Sequence, residues 1–201
     1  MNLKIIKIED SKIRFNISGI DVSLANALRR IVISEIPTMA IEEITFYENS
    51  SILDDEILAL RLGLIPLKTD LRTYNPVSEC TCKGKGCAKC TAILTLDIKG
   101  PGTVYSKELK STDPEIIPVY DNIPIVKLTE DQGIRLEAKA RLGTGKEHMK
   151  WQAGLASYEL KNNGSFDFFI ESYGQFKIPE LVEIAFDVFN NKIKDLESCI
   201  K

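Results

Sequence analysis

Apolar and polar residues alternate at period two over residues 3–8 and again over 12–17, with a polar break at Glu9 to Ser11. Such alternation predicts two strands joined as a β-hairpin. The period then changes. Leu24, Ala27, Leu28, Ile31 and Val32 follow helical spacing, which predicts a helix over 24–35 with Ser23 as its N-cap. Pro37 ends it, because a residue before proline disfavours the α region. Residues 39–47 read as a strand. Asp54 is placed to cap a short helix that runs through Leu62 and stops at Gly63.

Residues 74–91 lose the pattern. Strands return at 92–98, 102–106, 135–141, 158–161 and 166–172, separated by loops at Asp113-Pro114, Ile117-Pro118 and Ile123-Pro124. Pro179 suits the first turn of a closing helix. The predicted class is α+β, with a few helices on mostly antiparallel strands. The proline-bearing, helix-poor middle differs from both ends. We therefore expect a discontinuous domain over 1–48 and 153–201, interrupted by an inserted, mostly-β domain over 49–152.

The closing helix carries Val182, Phe186, Phe189, Ile193, Leu196 and Ile200, stepping by 4, 3, 4, 3, 4. This is the seam spacing of a coiled coil. A helix packed only on its own domain gives the same pattern over so short a run. The first helix, however, also bears Ile33 and Ile36 on other faces. Two helices with more apolar surface than one stripe predict an interface with a second chain. Leu24, Leu28 and Ile31 from the first helix, and Val182, Phe186, Phe189, Ile193 and Leu196 from the last, are the candidate contacts. Arg29 and Arg30 point about 100° apart, so at least one leaves the apolar face and is free for a carboxylate or phosphate.

Composition narrows the classes. The chain has 201 residues, of which 44% are hydrophobic, enough for a core without disulfide staples. A net charge of −3 argues against a surface built to grip nucleic acid. There is no apolar run long enough to span a bilayer and no signal-peptide pattern, so a soluble cytoplasmic protein without membrane contact is expected. The sequence has one histidine and no P-loop, dinucleotide fingerprint or nucleophile elbow, which leaves no catalytic residue to nominate. His148 sits with Lys146, Lys150 and Trp151 in a glycine-broken segment, read as a docking loop or a solvated one.

Five cysteines are present, and four of them form Cys80-x-Cys82-x4-Cys87-x2-Cys90. Four thiolates so close can wrap one tetrahedral zinc ion with no open position, hence a structural site. Gly84 and Gly86 allow sharp turns, and Lys83, Lys85 and Lys89 offset the negative charge. An iron–sulfur cluster is the second reading, although the Cys-x-Cys opening does not match common ferredoxin spacings. A metal-free loop is the third. On these residues alone a zinc-loop nucleic-acid-binding protein and an iron–sulfur electron-transfer protein stay open as alternatives.

The run Asn26-Ala27-Leu28-Arg29-Arg30 resembles the first helix of the RNA polymerase alpha-subunit amino-terminal domain family. Glu35 to Ile41 (EIPTMAI) and Arg61 to Leu67 (RLGLIPL) are more similar to its archaeal and eukaryotic branches, the archaeal D-type polymerase subunits and the third-largest subunit of RNA polymerase II. The cysteine group, the Lys146 to Trp151 segment (KEHMKW) and the closing helix fall in the family's order. The resemblance implies a non-catalytic assembly platform of the DNA-dependent RNA polymerase that transcribes DNA from NTPs. It implies a heterodimer with a smaller alpha-like subunit, called L in archaea, through the first and last helices. It further implies docking to two small zinc-bearing subunits and to the largest and second-largest catalytic subunits, without direct nucleic-acid contact. Arg29, Arg30 and the Lys146 to Trp151 loop match segments that face the second-largest subunit. Some archaeal members carry an additional ferredoxin-like insertion, which four cysteines in one short loop make absent or reduced here.

Overall fold

The computed structural model describes residues 1–83 and 85–200. Gly84, expected to turn the cysteine loop, lies outside the described residues. Contacts divide the chain into two compact units, residues 1–36 with 144–201, and residues 37–143.

The discontinuous unit is one antiparallel sheet with two helices. Its strands are β1 (Asn2–Ile8), β2 (Lys12–Ser18), β9 (Gly154–Leu160) and β10 (Phe166–Ser172), in the order β1-β2-β10-β9. Register places Ile13, Phe15 and Ile17 opposite Ile170, Phe168 and Phe166. Cross-strand partners share a face, so these six form one buried apolar surface. Phe15 and Phe168 stack with ring centroids 5.2 Å apart. Helices α1 (Val22–Ser34) and α3 (Ile178–Ile200) supply the second layer, burying Ala25, Leu28, Ile31 and Val32, and Ile178, Leu181 and Ala185. The opposite face is polar and paired, with Asn16 donating to Asp167 at 2.6 Å and Arg14 over the Phe169 ring.

The continuous unit holds a second antiparallel sheet, ordered β3-β8-β4-β6. Its strands are β3 (Thr38–Asn49), β4 (Thr91–Lys99), β6 (Lys110–Ser111) and β8 (Gly133–Gly143). A short ribbon pairs β5 (Gly102–Tyr105) with β7 (Pro124–Leu128). In β8 the buried residues Ile134, Leu136, Ala138, Ala140 and Leu142 alternate with polar ones, the period-two pattern of a half-buried strand. They join Met39, Ile41, Leu94 and Leu96, and Leu58 and Leu62 of α2 (Asp55–Gly63), in one apolar core.

The described residues are α+β as expected, with differences at several edges. The units part at 36/37 and 143/144, not at 48/49 and 152/153, because β3 pairs with β8 from Thr38 to Asn49 and so belongs to the second sheet. Residues 144–152 stay with the discontinuous unit, where the Lys146 N–H donates to the Ser34 carbonyl at 2.9 Å. The N-cap of α1 is Asp21, which accepts from the Leu24 N–H at 2.8 Å, while Ser23 donates its hydroxyl to the same carboxylate. Gly63 is the last residue of α2, and Leu64 caps it in a right-handed conformation. Pro124, expected in a loop, opens β7, a position where a strand tolerates a missing N–H.

Candidate metal centre and partner surface

The four clustered cysteines converge just before β4, in turns set by short backbone hydrogen bonds. Cys90 N–H and Thr91 N–H both donate to the Cys87 carbonyl at 2.9 Å, and Lys83 N–H donates to the Cys80 carbonyl. Gly86 takes φ +76°, a left-handed turn that a side chain would strain. Two ties hold the loop's base: Asn75 N–H to the Lys89 carbonyl at 2.9 Å, and the buried Tyr74 hydroxyl to Asp113 at 2.7 Å. Burial first, then that carboxylate, push the Tyr74 hydroxyl well above its ordinary pKa.

All four sulfurs lie within 4.8 Å of one another, with Cys80–Cys87 at 3.5 Å, Cys82–Cys90 at 3.6 Å and Cys87–Cys90 at 3.8 Å. Four thiolates 2.3 Å from one tetrahedral ion stand about 3.8 Å apart. The group thus has the size for a single metal ion. Four sulfurs on four different irons must spread wider than four sharing one centre. Without a cation the crowding disfavours ionisation. The Cys82 N–H lowers the Cys80 thiol pKa, but burial and the Cys82, Cys87 and Cys90 thiols outweigh it and push the thiol up to about 11. Cys199 stands apart, exposed near the end of α3.

The expected partner residues fall into two groups. Leu24 and Phe189 come together on the rim of an open groove of about 610 Å³, with Gly19, Ile20, Asp21, Ser23 and Ala27. Val182 and Phe186 are half-buried, and beyond them α3 is bare: every residue from 191 to 200 is exposed, with Ile193 at 42%, Leu196 at 63% and Ile200 at 78%. Leu28 and Ile31 differ. They are buried in their own unit and have no surface to offer a partner. The sequence pattern could not separate them, since a core stripe and an interface stripe share one spacing.

Arg29 is half-buried and donates twice to the Asn26 side chain, at 3.0 and 3.1 Å, whereas Arg30 is exposed. Lys146 and His148 are exposed, Lys150 is half-buried, and Trp151 is buried, again core rather than contact surface. The loop is tightly seated. A Cβ on Gly145 would stand 2.4 Å from the Ile33 carbonyl oxygen, so only glycine lets the chain pass the last turn of α1. His148 caps the short turn Met149–Trp151 by accepting from Lys150 N–H through Nδ1 at 3.1 Å, and the Lys150 ammonium lies 4.4 Å from the Trp151 ring centroid.

Sequence reasoning placed the opening strand but missed it as a candidate contact surface. Leu3, Ile5 and Ile8 lie opposite Ile17, Phe15 and Ile13 on the helix-covered face, yet all three stay about half exposed. The one available signal was Ile6, which sets a second apolar residue beside Ile5 in an otherwise alternating strand.

Residues 40–158, more than half the chain, match the family model of the RNA polymerase Rpb3/RpoA insert domain. The chain belongs to that family. It is 48% identical over 157 residues to the DNA-directed RNA polymerase subunit Rpo3 of Methanosarcina acetivorans, covering 78% of this chain and 59% of that protein. It is similar to the Rpo3 subunits of Pyrococcus furiosus, at 45% over 159 residues (79% and 59%), and Pyrobaculum aerophilum, at 47% over 144 residues (71% and 55%). The matches thus span 55 to 59% of these relatives' length. Among the described residues, no helix is long and apolar enough to cross a membrane.

Proposed function

We propose that this chain is a non-catalytic assembly platform of a multisubunit, DNA-dependent RNA polymerase, the counterpart of the archaeal D-type subunits. The observation that carries the reading is the bare apolar stripe of α3 beside the Leu24–Phe189 groove, in a member of this family. The smaller alpha-like subunit, archaeal L, covers that surface in a heterodimer. The pair then receives two small zinc-bearing subunits and the largest and second-largest catalytic subunits, the latter against Arg29, Arg30, Lys146, His148 and Lys150. The four cysteines hold a structural zinc ion, the protein contacts no nucleic acid directly, and it works in the cytoplasm. The relatives' names, subunits of DNA-directed RNA polymerase, support this reading, as does the spacing of the sulfurs.

Co-expression with the smaller alpha-like subunit is the test. A 1:1 complex by size-exclusion chromatography and mass measurement is expected, and its loss when Phe189 and Leu196 become aspartate. A chain that stays monomeric beside that partner overturns the reading. Elemental analysis decides the metal: one zinc per chain is expected, whereas iron with visible absorption favours the electron-transfer alternative.

A further inference from the structure

Helix α2 has two apolar faces and only one is used. Leu58 and Leu62 are fully buried in the core of the continuous unit. At 100° per residue, Ile57, Leu60 and Leu64 fall within an arc of about 60° on the opposite side. They are 51%, 56% and 50% exposed, and Ile52 just before the helix is more exposed still. Glu56 and Arg61 flank the stripe, and Arg61 is tied down by its bond to the Pro124 carbonyl at 2.9 Å. A helix at a protein surface ordinarily shows polar residues on this side.

The rim supplies the second observation. Asp54, Asp55 and Glu56 stand exposed at the N-terminal end, and no cation lies within ion-pair distance of them among the described residues. Among the described residues, Asp55 accepts the Asn49 side-chain amide at 2.7 Å. The backbone just before the helix is fixed by Ser50, which bonds Gly133 through both its N–H and its hydroxyl. The dipole of α2 accounts for some carboxylates at its start. It does not account for three leucine and isoleucine side chains turned to solvent beside them.

We infer that the outward face of α2 is a second protein-docking surface, taking a basic amphipathic helix from another polymerase subunit. The apolar side of that helix covers Ile57, Leu60 and Leu64, and its lysines or arginines meet Asp54, Asp55 and Glu56. This rests on the assembly-platform reading and adds a contact separate from the α1 and α3 surface. Apolar anchors fix the fit, while the charges set the rate and orientation of docking.

The test uses the complete reconstituted polymerase. Leu60→Glu with Leu64→Glu changes only exposed positions, so the circular dichroism, thermal unfolding and pairing with the smaller alpha-like subunit should match wild type. Incorporation into the full assembly should weaken at least tenfold and become more salt-sensitive. Carbodiimide treatment of the wild-type assembly should join Asp54, Asp55 or Glu56 to lysines of a helical segment in another subunit. Unaltered incorporation of the double variant overturns the inference, and so does α2 that gains no amide protection in the assembly. Concentration-dependent protection of α2 in the isolated chain would assign the face to a second copy and overturn it too. A wild-type chain that never enters the polymerase instead overturns the assembly-platform reading, which keeps the two failures distinct.

Discussion

The two units treat their apolar residues differently. In residues 37–143 the sheet, α2 and the β5–β7 ribbon close around one core that runs from Met39 to Leu142. In residues 1–36 and 144–201 the same chemistry is left unfinished: Leu3, Ile5 and Ile8 extend the buried face past its helices, and α3 runs on with Ile193, Leu196 and Ile200 uncovered. A side chain inside that closed core stabilises the chain that carries it; among the described residues of 37–143 only the outward face of α2, with Ile57, Leu60 and Leu64, lies outside the core as a broad apolar surface. A side chain at the uncovered edge of the second unit contributes only when another molecule arrives. Under the proposed function the difference separates residues that fold the protein from residues that assemble it, and substitutions on each side can test where that line runs.

The largest effect is expected at the metal loop. In zinc-finger peptides metal binding contributes an apparent 10–16 kcal/mol, roughly, and all of it is folding free energy. With the proposed metal bound, chelation, or Cys90→Ser at a fully buried thiol, should therefore unfold residues 74–91. Hydrogen exchange is the readout: the Cys87–Cys90 and Asn75–Lys89 amides should lose protection while β8 keeps its own. Uniform loss across the continuous unit would mean that the loop is not a separable element.

Next come substitutions on either side of the line. Leu62→Ala empties part of the closed core and should cost about 2–5 kcal/mol in denaturant unfolding. Leu196→Asp should leave the isolated chain within about 0.5 kcal/mol of wild type. In the proposed complex with the smaller alpha-like subunit the same change should weaken binding at least tenfold. Equal costs for the two variants in the isolated chain would erase the distinction. A smaller step, Tyr74→Phe, removes one partly buried hydrogen bond to Asp113 and should cost about 1 kcal/mol, read as a lower unfolding midpoint.

Much of this was legible beforehand because periodicity reports local geometry. Both hairpin strands, the α1 stripe and the long α3 seam were readable from spacing, and four cysteines in eleven residues announced their own cluster. What spacing cannot report is which side of a stripe another element covers. Leu28, Ile31 and Trp151 carried the interface pattern and are core, whereas Leu3, Ile5 and Ile8 carried an ordinary strand pattern and are half exposed. Strand β7 escaped notice because Pro124 argued for a loop, and only its pairing with β5 reveals the strand. The unit boundaries depended on long-range pairing of β3 with β8, which no local pattern encodes.

The smallest effect concerns the start of α1, where the groove and the fold meet. Asp21 accepts from the Leu24 N–H and from the Ser23 hydroxyl, and these bonds, the backbone one foremost, hold its carboxyl below the ordinary carboxylate value of 3.8. A carboxylate depressed in the folded state stabilises the protein above its unfolded pKa, and loses that contribution as pH falls through the lower folded value. Asparagine caps a helix about as well as aspartate but carries no charge to titrate, whereas alanine does neither. At pH 7, Asp21→Asn should therefore melt near wild type and Asp21→Ala clearly below it. Between about pH 4 and 2, wild type should lose more stability than either variant, because only it has this proton to take up. Melting temperature measured against pH for the three proteins checks the order. Parallel acid limbs would show that the cap acts through geometry alone, and that the groove-side end of α1 is held by its own unit without help from the Asp21 charge.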